Sequence, residues 1–269
     1  MSNAIQLGPL LLPFALLLVL GSAASMVGVG HLWGKKAGVE VDSAVWRVLI
    51  VGVVAARLAF VYEYRSLYFS SPLSIVNIRD GGWEPTAGLL AAWLYGIYLQ
   101  RKSPAVARPL RWAMVAGTTL FVAGTAAMAL RLDTDQRLPD LSFATPDGRT
   151  LHLGQFAGRP TVVNLWATWC PPCAREMPML ERAQAEQPDV NFVFLNQGES
   201  AAEVERWLQQ QQLPLRNVGL DEKRQASAAF QQKGYPTTLF FKSDGHLAAT
   251  RLGELSAATL NEKLQASRK

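Results

Sequence analysis

The chain has 269 residues with 26 Lys and Arg against 21 Asp and Glu, a formal net charge of +5, and only two cysteines. The whole excess of charge lies in residues 1–130, where ten basic side chains face five acidic ones in the apolar half of the chain. That distribution argues against nucleic-acid binding and for cationic loops on a membrane protein, and two cysteines with three histidines fit poorly with a four-ligand metal site.

Residues 7–29, 44–61, 83–99 and 112–130 are apolar runs that read as transmembrane helices. A span needs roughly 17 residues or more, so the third is marginal. Lys35-Lys36 separates the first two runs, and Arg101, Lys102, Arg108 and Arg111 separate the last two, which places both loops in the cytoplasm. The opening MSNAIQ carries no charged side chain; this suits an outer N-terminus and fits a cleaved signal peptide poorly. Four spans return the chain to the outer side at Arg131, so the remainder is expected in the periplasm or an equivalent exterior compartment of a multi-pass protein of the bacterial inner (cytoplasmic) membrane. Arg57 stands near the middle of the second span, where a charge costs several kcal/mol unless paired or hydrated. It either snorkels or pairs with a carboxylate such as Glu63 or Glu84, or it binds an anionic lipid headgroup.

Residues 131–138 form a polar linker. Residues 139–269 then read as a hairpin (141–153), a strand (161–167), a helix (173–187), a strand (191–196), a helix (201–211), a strand (215–220), a helix (224–232), two strands turning at Ser243-Asp244-Gly245, and a last helix (257–266). Strands alternating with helices and closed by a hairpin predict a mixed sheet covered on both faces.

Both cysteines fall in Trp169-Cys170-Pro171-Pro172-Cys173, at the junction of a β-branched run and a helix. A thiol at a helix N-terminus faces unpaired N–H groups and the positive end of the dipole, which lowers its pKa from about 8.5 to roughly 3.5–7.5. Cys170 is therefore the expected nucleophile. Cys173, one turn on, is within reach to resolve a mixed disulfide. A purely structural role is disfavoured, because a four-residue loop constrains little of the unfolded chain. Residues 1–130 hold no cysteine and one histidine, so a thiol or haem relay through the bilayer has no carriers there, and electrons must reach Cys170 from another protein on the outer side, or leave that way if the domain is an oxidase.

The WCxxC motif and this order of elements resemble the thioredoxin fold, and within it the membrane-anchored TlpA and ResA type of thiol-disulfide oxidoreductase, over residues 138–266. Gly234-Tyr235-Pro236-Thr237-Thr238 resembles that family's cis-proline loop. The resemblance implies a cis Tyr235–Pro236 bond and no cofactor beyond the redox-active Cys170–Cys173 disulfide. It also implies a substrate strand received by Trp169, Pro171, Pro172, Tyr235, Pro236 and Thr237, a form of β-augmentation. Asn164 stands where thioredoxins keep a buried Asp, and Glu176 (CARE) takes a related place in the TlpA and ResA branch. A carboxylate there would raise thiol pKa values and could shuttle the resolving proton; the plainer reading is a first-turn Glu favoured by the helix dipole, exposed or paired with Arg175. Trp166 reads as core, Pro178 as a simple helix kink, and Asn196-Gln197-Gly198-Glu199 as a loop that could touch substrate.

In the apolar half, residues 5–9 (IQLGP), 52–64 (GVVAARLAFVYEY) and 71–88 (SPLSIVNIRDGGWEPTAG) resemble the first half of prolipoprotein diacylglyceryl transferase. Thr86 replaces that family's histidine and the soluble domain replaces its later spans, which implies an inactive anchor over residues 1–130. The fold class expected is thus a multi-span α-helical membrane domain of about four transmembrane helices followed by an α/β thioredoxin-like domain. The function implied is reduction of disulfides in exported proteins that carry cysteines, cytochrome c precursors among them. A thiol oxidase, a lipid-modifying transferase and a client-binding holdase are the rivals.

Overall fold

The structure is a computed structural model that describes residues 4–7, 10–69, 75–131 and 136–268. Positions 8–9 of IQLGP, 70–74 ahead of the DGG turn and 132–135 of the linker lie outside the described residues. The chain divides into two compact units, one of residues 6–76 and 82–132, the other of 133–269 with the short stretches 1–5 and 77–81.

Ala4–Leu7 (β1) and Leu10–Pro13 (β2) pair as a two-stranded sheet. The first predicted span therefore becomes helical only at Phe14–Ala37 (α1), because Pro13 has no N–H to give to a helix interior. Asp42–Glu63 (α2), the short Arg65–Phe69 (α3), Pro85–Lys102 (α4) and Pro104–Arg131 (α5) follow. By length and composition, three of these helices can cross a membrane: α1, α2 and α5. The marginal third run, now α4, is not among them, because its 18 residues include Gln100, Arg101 and Lys102. The basic residues expected in a loop before the fourth span lie inside helices instead; Arg101 and Lys102 close α4, and Arg108 and Arg111 fall in α5.

Small residues bring the helices together. A Cβ at Gly88 of α4 would sit 2.8 Å from both Ala56 Cβ and Gly52 O of α2, so only glycine allows that approach, as expected where lipid supplies no hydrophobic drive between helices. At one end of the bundle Trp33 stacks on Trp112 at 5.6 Å, and Lys36 and Arg108 lie over Trp33 at 5.6 and 5.5 Å. Aromatic and basic anchors gathered in this way are the signature of a membrane interface.

The second unit is built on a seven-stranded sheet of order β4-β3-β7-β6-β5-β8-β9. Ser142–Ala144 (β3) and Thr150–His152 (β4) form the leading hairpin. Thr161–Trp166 (β5) is wholly buried, pairs in parallel with Asn191–Gln197 (β6), and is antiparallel to Thr237–Phe241 (β8). Between them run Pro171–Glu186 (α6), Ala201–Gln210 (α7), Val218–Asp221 (β7) and Gln225–Ala229 (α8), with Leu247–Leu252 (β9) and Ala257–Ser267 (α9) closing the chain. Strand alternation sends Val162 and Trp166 into one core with Met177, Leu180 and Leu260, and Val163 and Leu165 into another with Phe230 and Leu239. The mixed sheet covered on both faces is the architecture expected from the order of elements.

Candidate active site

β5 ends at Trp166, and after three intervening residues the chain enters α6 with Cys170 as its N-cap. Pro171 and Pro172 occupy the first helical positions, where a missing N–H costs nothing. Cys170 Sγ accepts a hydrogen bond from Cys173 N at 3.3 Å. The two cysteines are joined in a disulfide with Cα atoms 5.2 Å apart, and both are buried, Cys173 completely. Pro171 is exposed and Pro172 half-buried beside them.

The pairing of Leu165 with Thr237 brings the start of β8 level with the end of β5. The Tyr235–Pro236 bond, one residue earlier, is cis. Tyr235 is half-buried and Pro236 buried. Thr237 is also buried, its hydroxyl donated to Gly234 O at 2.6 Å, so its side chain holds the loop from inside. Trp169 is 59% exposed and meets Tyr235 edge-on, ring centroids 6.0 Å apart. Trp166 is fully buried, its ring 5.1 Å from that of Trp207, and belongs to the core as its position in the strand implied.

Glu176 follows Cys173 by one helical turn and is 2% exposed. Its Oε1 accepts from Asn164 Nδ2 and its Oε2 from Leu255 N, both at 2.9 Å. Asn164 also donates to Thr238 Oγ1 at 2.9 Å. Burial pushes the Glu176 carboxyl up to about 8, against the opposing pull of the Leu255 and Asn164 hydrogen bonds. The plainer reading of Glu176 does not hold: Arg175 turns outward to Glu254 at 2.6 Å, leaving Glu176 inside.

Sequence reasoning gave no role to Thr168 and Ser227, and gave Glu199 only a possible substrate contact in a loop. Thr168 N and Oγ1 both donate to the Glu199 carboxylate, which also accepts from Asn196 Nδ2. Ser227 Oγ bridges Gln197 Oε1 and Tyr235 Oη. The one signal available was Ser200 and Glu203 as a capping box opening α7, which marked residues 196–199 as a strand end beside the site.

In the first unit Arg57 is buried, donating to Gly82 O at 2.7 Å and Ile75 O at 3.0 Å, with its guanidinium over the rings of Tyr68 and Trp83. Glu84 caps α4 by accepting from Thr86 N. Among the described residues no group of His, Cys, Asp and Glu is placed to hold a metal ion.

Residues 133–264 match the Redoxin family, and residues 2–132 match the prolipoprotein diacylglyceryl transferase family. The C-terminal half of the chain belongs to the Redoxin family. It is similar to thioredoxin-like protein YneN of Bacillus subtilis, 29% identical over 135 residues that cover 48% of this chain and 77% of that one. Thiol-disulfide oxidoreductase ResA of Halalkalibacterium halodurans is 26% identical over 121 residues, 44% of this chain and 68% of that protein. Among solved structures, a thiol:disulfide interchange protein of the thioredoxin family from Chlorobium tepidum aligns at 24% identity with a TM-score of 0.45, covering 49% of this chain and 95% of that one. A dithiol at a helix N-terminus, a cis-proline loop level with it and a Redoxin match over the same residues make this chain a thioredoxin-like thiol-disulfide oxidoreductase attached to a helical membrane domain.

Proposed function

We propose that the chain is a periplasmic disulfide reductase anchored in the bacterial inner membrane, acting on a limited set of exported proteins through Cys170 and Cys173. The observation that carries the reading is the buried Glu176 carboxyl one turn below a dithiol whose inner cysteine has no exposure to solvent. In the reducing direction the Cys170 thiolate attacks a client disulfide, forming a Cys170–client bond while the client's other sulfur leaves as a thiolate. Cys173 then loses its proton to Glu176, attacks Cys170 Sγ and closes the disulfide, and the second client thiolate departs. Two electrons pass to the client and the dithiol is oxidised.

A fully buried thiol cannot hand its proton to water, and a carboxyl raised to about 8 is, once ionised, a stronger base than an ordinary carboxylate and so suited to take it. In this scheme Glu176 acts as a proton carrier, accepting the Cys173 proton through its ionised fraction, rather than as a standing negative charge. Asn164 suits that task better than an Asp: its amide can donate to the carboxylate or, turned over, accept from the acid through Oδ1, and it adds no second charge. Tyr235 and Pro236 receive the client's extended chain beside the exposed ring of Trp169 and the Pro171-Pro172 corner, with Thr237 fixing the loop.

The basic residues at the end of α4 and the persistence of disulfides outside the cytoplasm support a periplasmic placement, which has α4 crossing the membrane as well as α1, α2 and α5. In that compartment a reductant needs resupply, and a cysteine-free membrane half means resupply from a separate transmembrane thiol donor. The first unit serves as an anchor without transferase activity, and the Arg57 guanidinium is held within it by Gly82 O and Ile75 O. No cofactor beyond the dithiol enters this scheme. Equilibration of the full chain against glutathione tests the direction. A midpoint near that of thioredoxin, about −270 mV, is expected, and one near about −120 mV, that of a strong oxidant, would replace the reductase with an oxidase.

A further inference from the structure

The end of β6 presents two adjacent buried amides, Asn196 and Gln197, and a strand sends consecutive side chains to opposite faces. Each amide begins a chain of hydrogen bonds, one ending on Thr168, the residue before Trp169, and the other on Tyr235. On one face, Asn196 Nδ2 donates to Glu199 Oε2 at 2.7 Å, and Glu199 holds the backbone N–H at 2.7 Å and the hydroxyl of Thr168, the residue before Trp169. On the other, Gln197 Nε2 donates to Asp221 Oδ2 at 3.1 Å, and Asp221 is itself fixed by Gln225 N and Ala226 N at 2.7 and 2.8 Å. Gln197 Oε1 accepts from Ser227 Oγ at 2.7 Å. That donation leaves Ser227 Oγ to accept from Tyr235 Oη at 3.1 Å, and Tyr235 precedes the cis-proline. The two arms close on each other where Trp169 meets Tyr235 edge-on.

Apolar side chains would pack these positions without risk of unpaired polar groups, each of which costs about 1–3 kcal/mol when buried. Connected polar chains instead confer direction, since every member is held at a set distance and angle.

We propose that Asn196 and Gln197 form a two-armed brace, acting through Glu199 and Ser227, that sets the position of the Trp169–Tyr235 wall past which a cysteine-bearing peptide reaches Cys170. These are positioning residues that govern how well a client chain is held. The inference rests on thiol-disulfide exchange at Cys170.

The test is steady-state reduction of a fluorescent synthetic peptide disulfide by the full chain in detergent micelles, recycled with dithiothreitol. Ser227→Ala cuts one arm and Glu199→Ala the other; each should raise KM with kcat within twofold of the parent, Ser227→Ala by threefold to tenfold, the range expected from one net hydrogen bond, and Glu199→Ala by at least as much because it removes three. Ser227→Thr keeps a hydroxyl, and Glu199→Gln can keep all its contacts if the Thr168 hydroxyl turns to accept, so both should return KM to within twofold. Tyr235→Phe should match Ser227→Ala, and the double variant should be no worse than either, because both delete one link. An unchanged KM with a lowered melting midpoint would overturn the brace, as would KM changes that the conservative variants fail to restore. A parent protein that does not turn over the peptide at all would instead remove the exchange reading, and the brace with it.

Discussion

Asn164 Nδ2 donates a 2.9 Å hydrogen bond to Glu176 Oε1 across the contact between β5 and α6, and the carboxyl so held has been pushed up to about 8 by burial. The unfolded chain carries the same group near 4.5. Between those values the folded protein keeps a proton that the unfolded chain has released. Stability should therefore fall as pH rises from about 4.5 to about 8, at up to about 1.4 kcal/mol per pH unit, and be flat for this group on either side. Chemical denaturation of the parent and of Glu176→Gln across pH 4–9 checks this: the variant should lose that slope. The peptide-reduction rate should also lose an inflection near pH 8. Parallel stability curves would return Glu176 to a plain structural role.

How far the sequence revealed the site can be judged from Cys170 and Glu176. The strand-to-helix junction was legible because a β-branched run meets Pro-Pro at helix positions where proline fits, and both features are local. The burial of Glu176 was not, since it depends on Leu255 N, 79 residues away, closing over the carboxylate. The Thr168–Glu199 and Ser227–Tyr235 contacts were equally hidden, being made by common polar residues whose pairing only the folded sheet creates. In the membrane half, the apolar runs located the helices but not their ends. The first starts late because of Pro13 and a preceding strand pair, and α5 starts early, at Pro104, drawing Arg108 into the helix.

Topology offers an independent check. Alkaline phosphatase fused after Pro139 should be active, and fused after Ser103 inactive, because the first site is expected outside and the second at the basic end of α4. The reverse pattern would put the dithiol in the cytosol and remove the compartment argument.

The membrane half should be unable to carry reducing equivalents. Residues 1–130 contain no cysteine, so the protein reconstituted alone in sealed liposomes enclosing thioredoxin, its reductase and NADPH should keep its outward-facing disulfide oxidised. Adding a cysteine-bearing transmembrane transporter should reduce it. Reduction without the transporter would reveal a redox route through the helices.

The division of labour between the two cysteines is the centre of the account, and trapping of client disulfides in cells tests it most directly. Tagged full-length Cys173→Ser and Cys170→Ser variants are expressed in the native host, free thiols are blocked with acid and alkylating agent, and mixed disulfides are resolved on non-reducing gels. Cys173→Ser should accumulate client adducts that dithiothreitol releases, because the attack by Cys170 proceeds and the resolving step does not, while Cys170→Ser should accumulate few. Adducts on Cys170→Ser equal to or above those on Cys173→Ser would contradict the assignment of Cys170 as the attacking thiol.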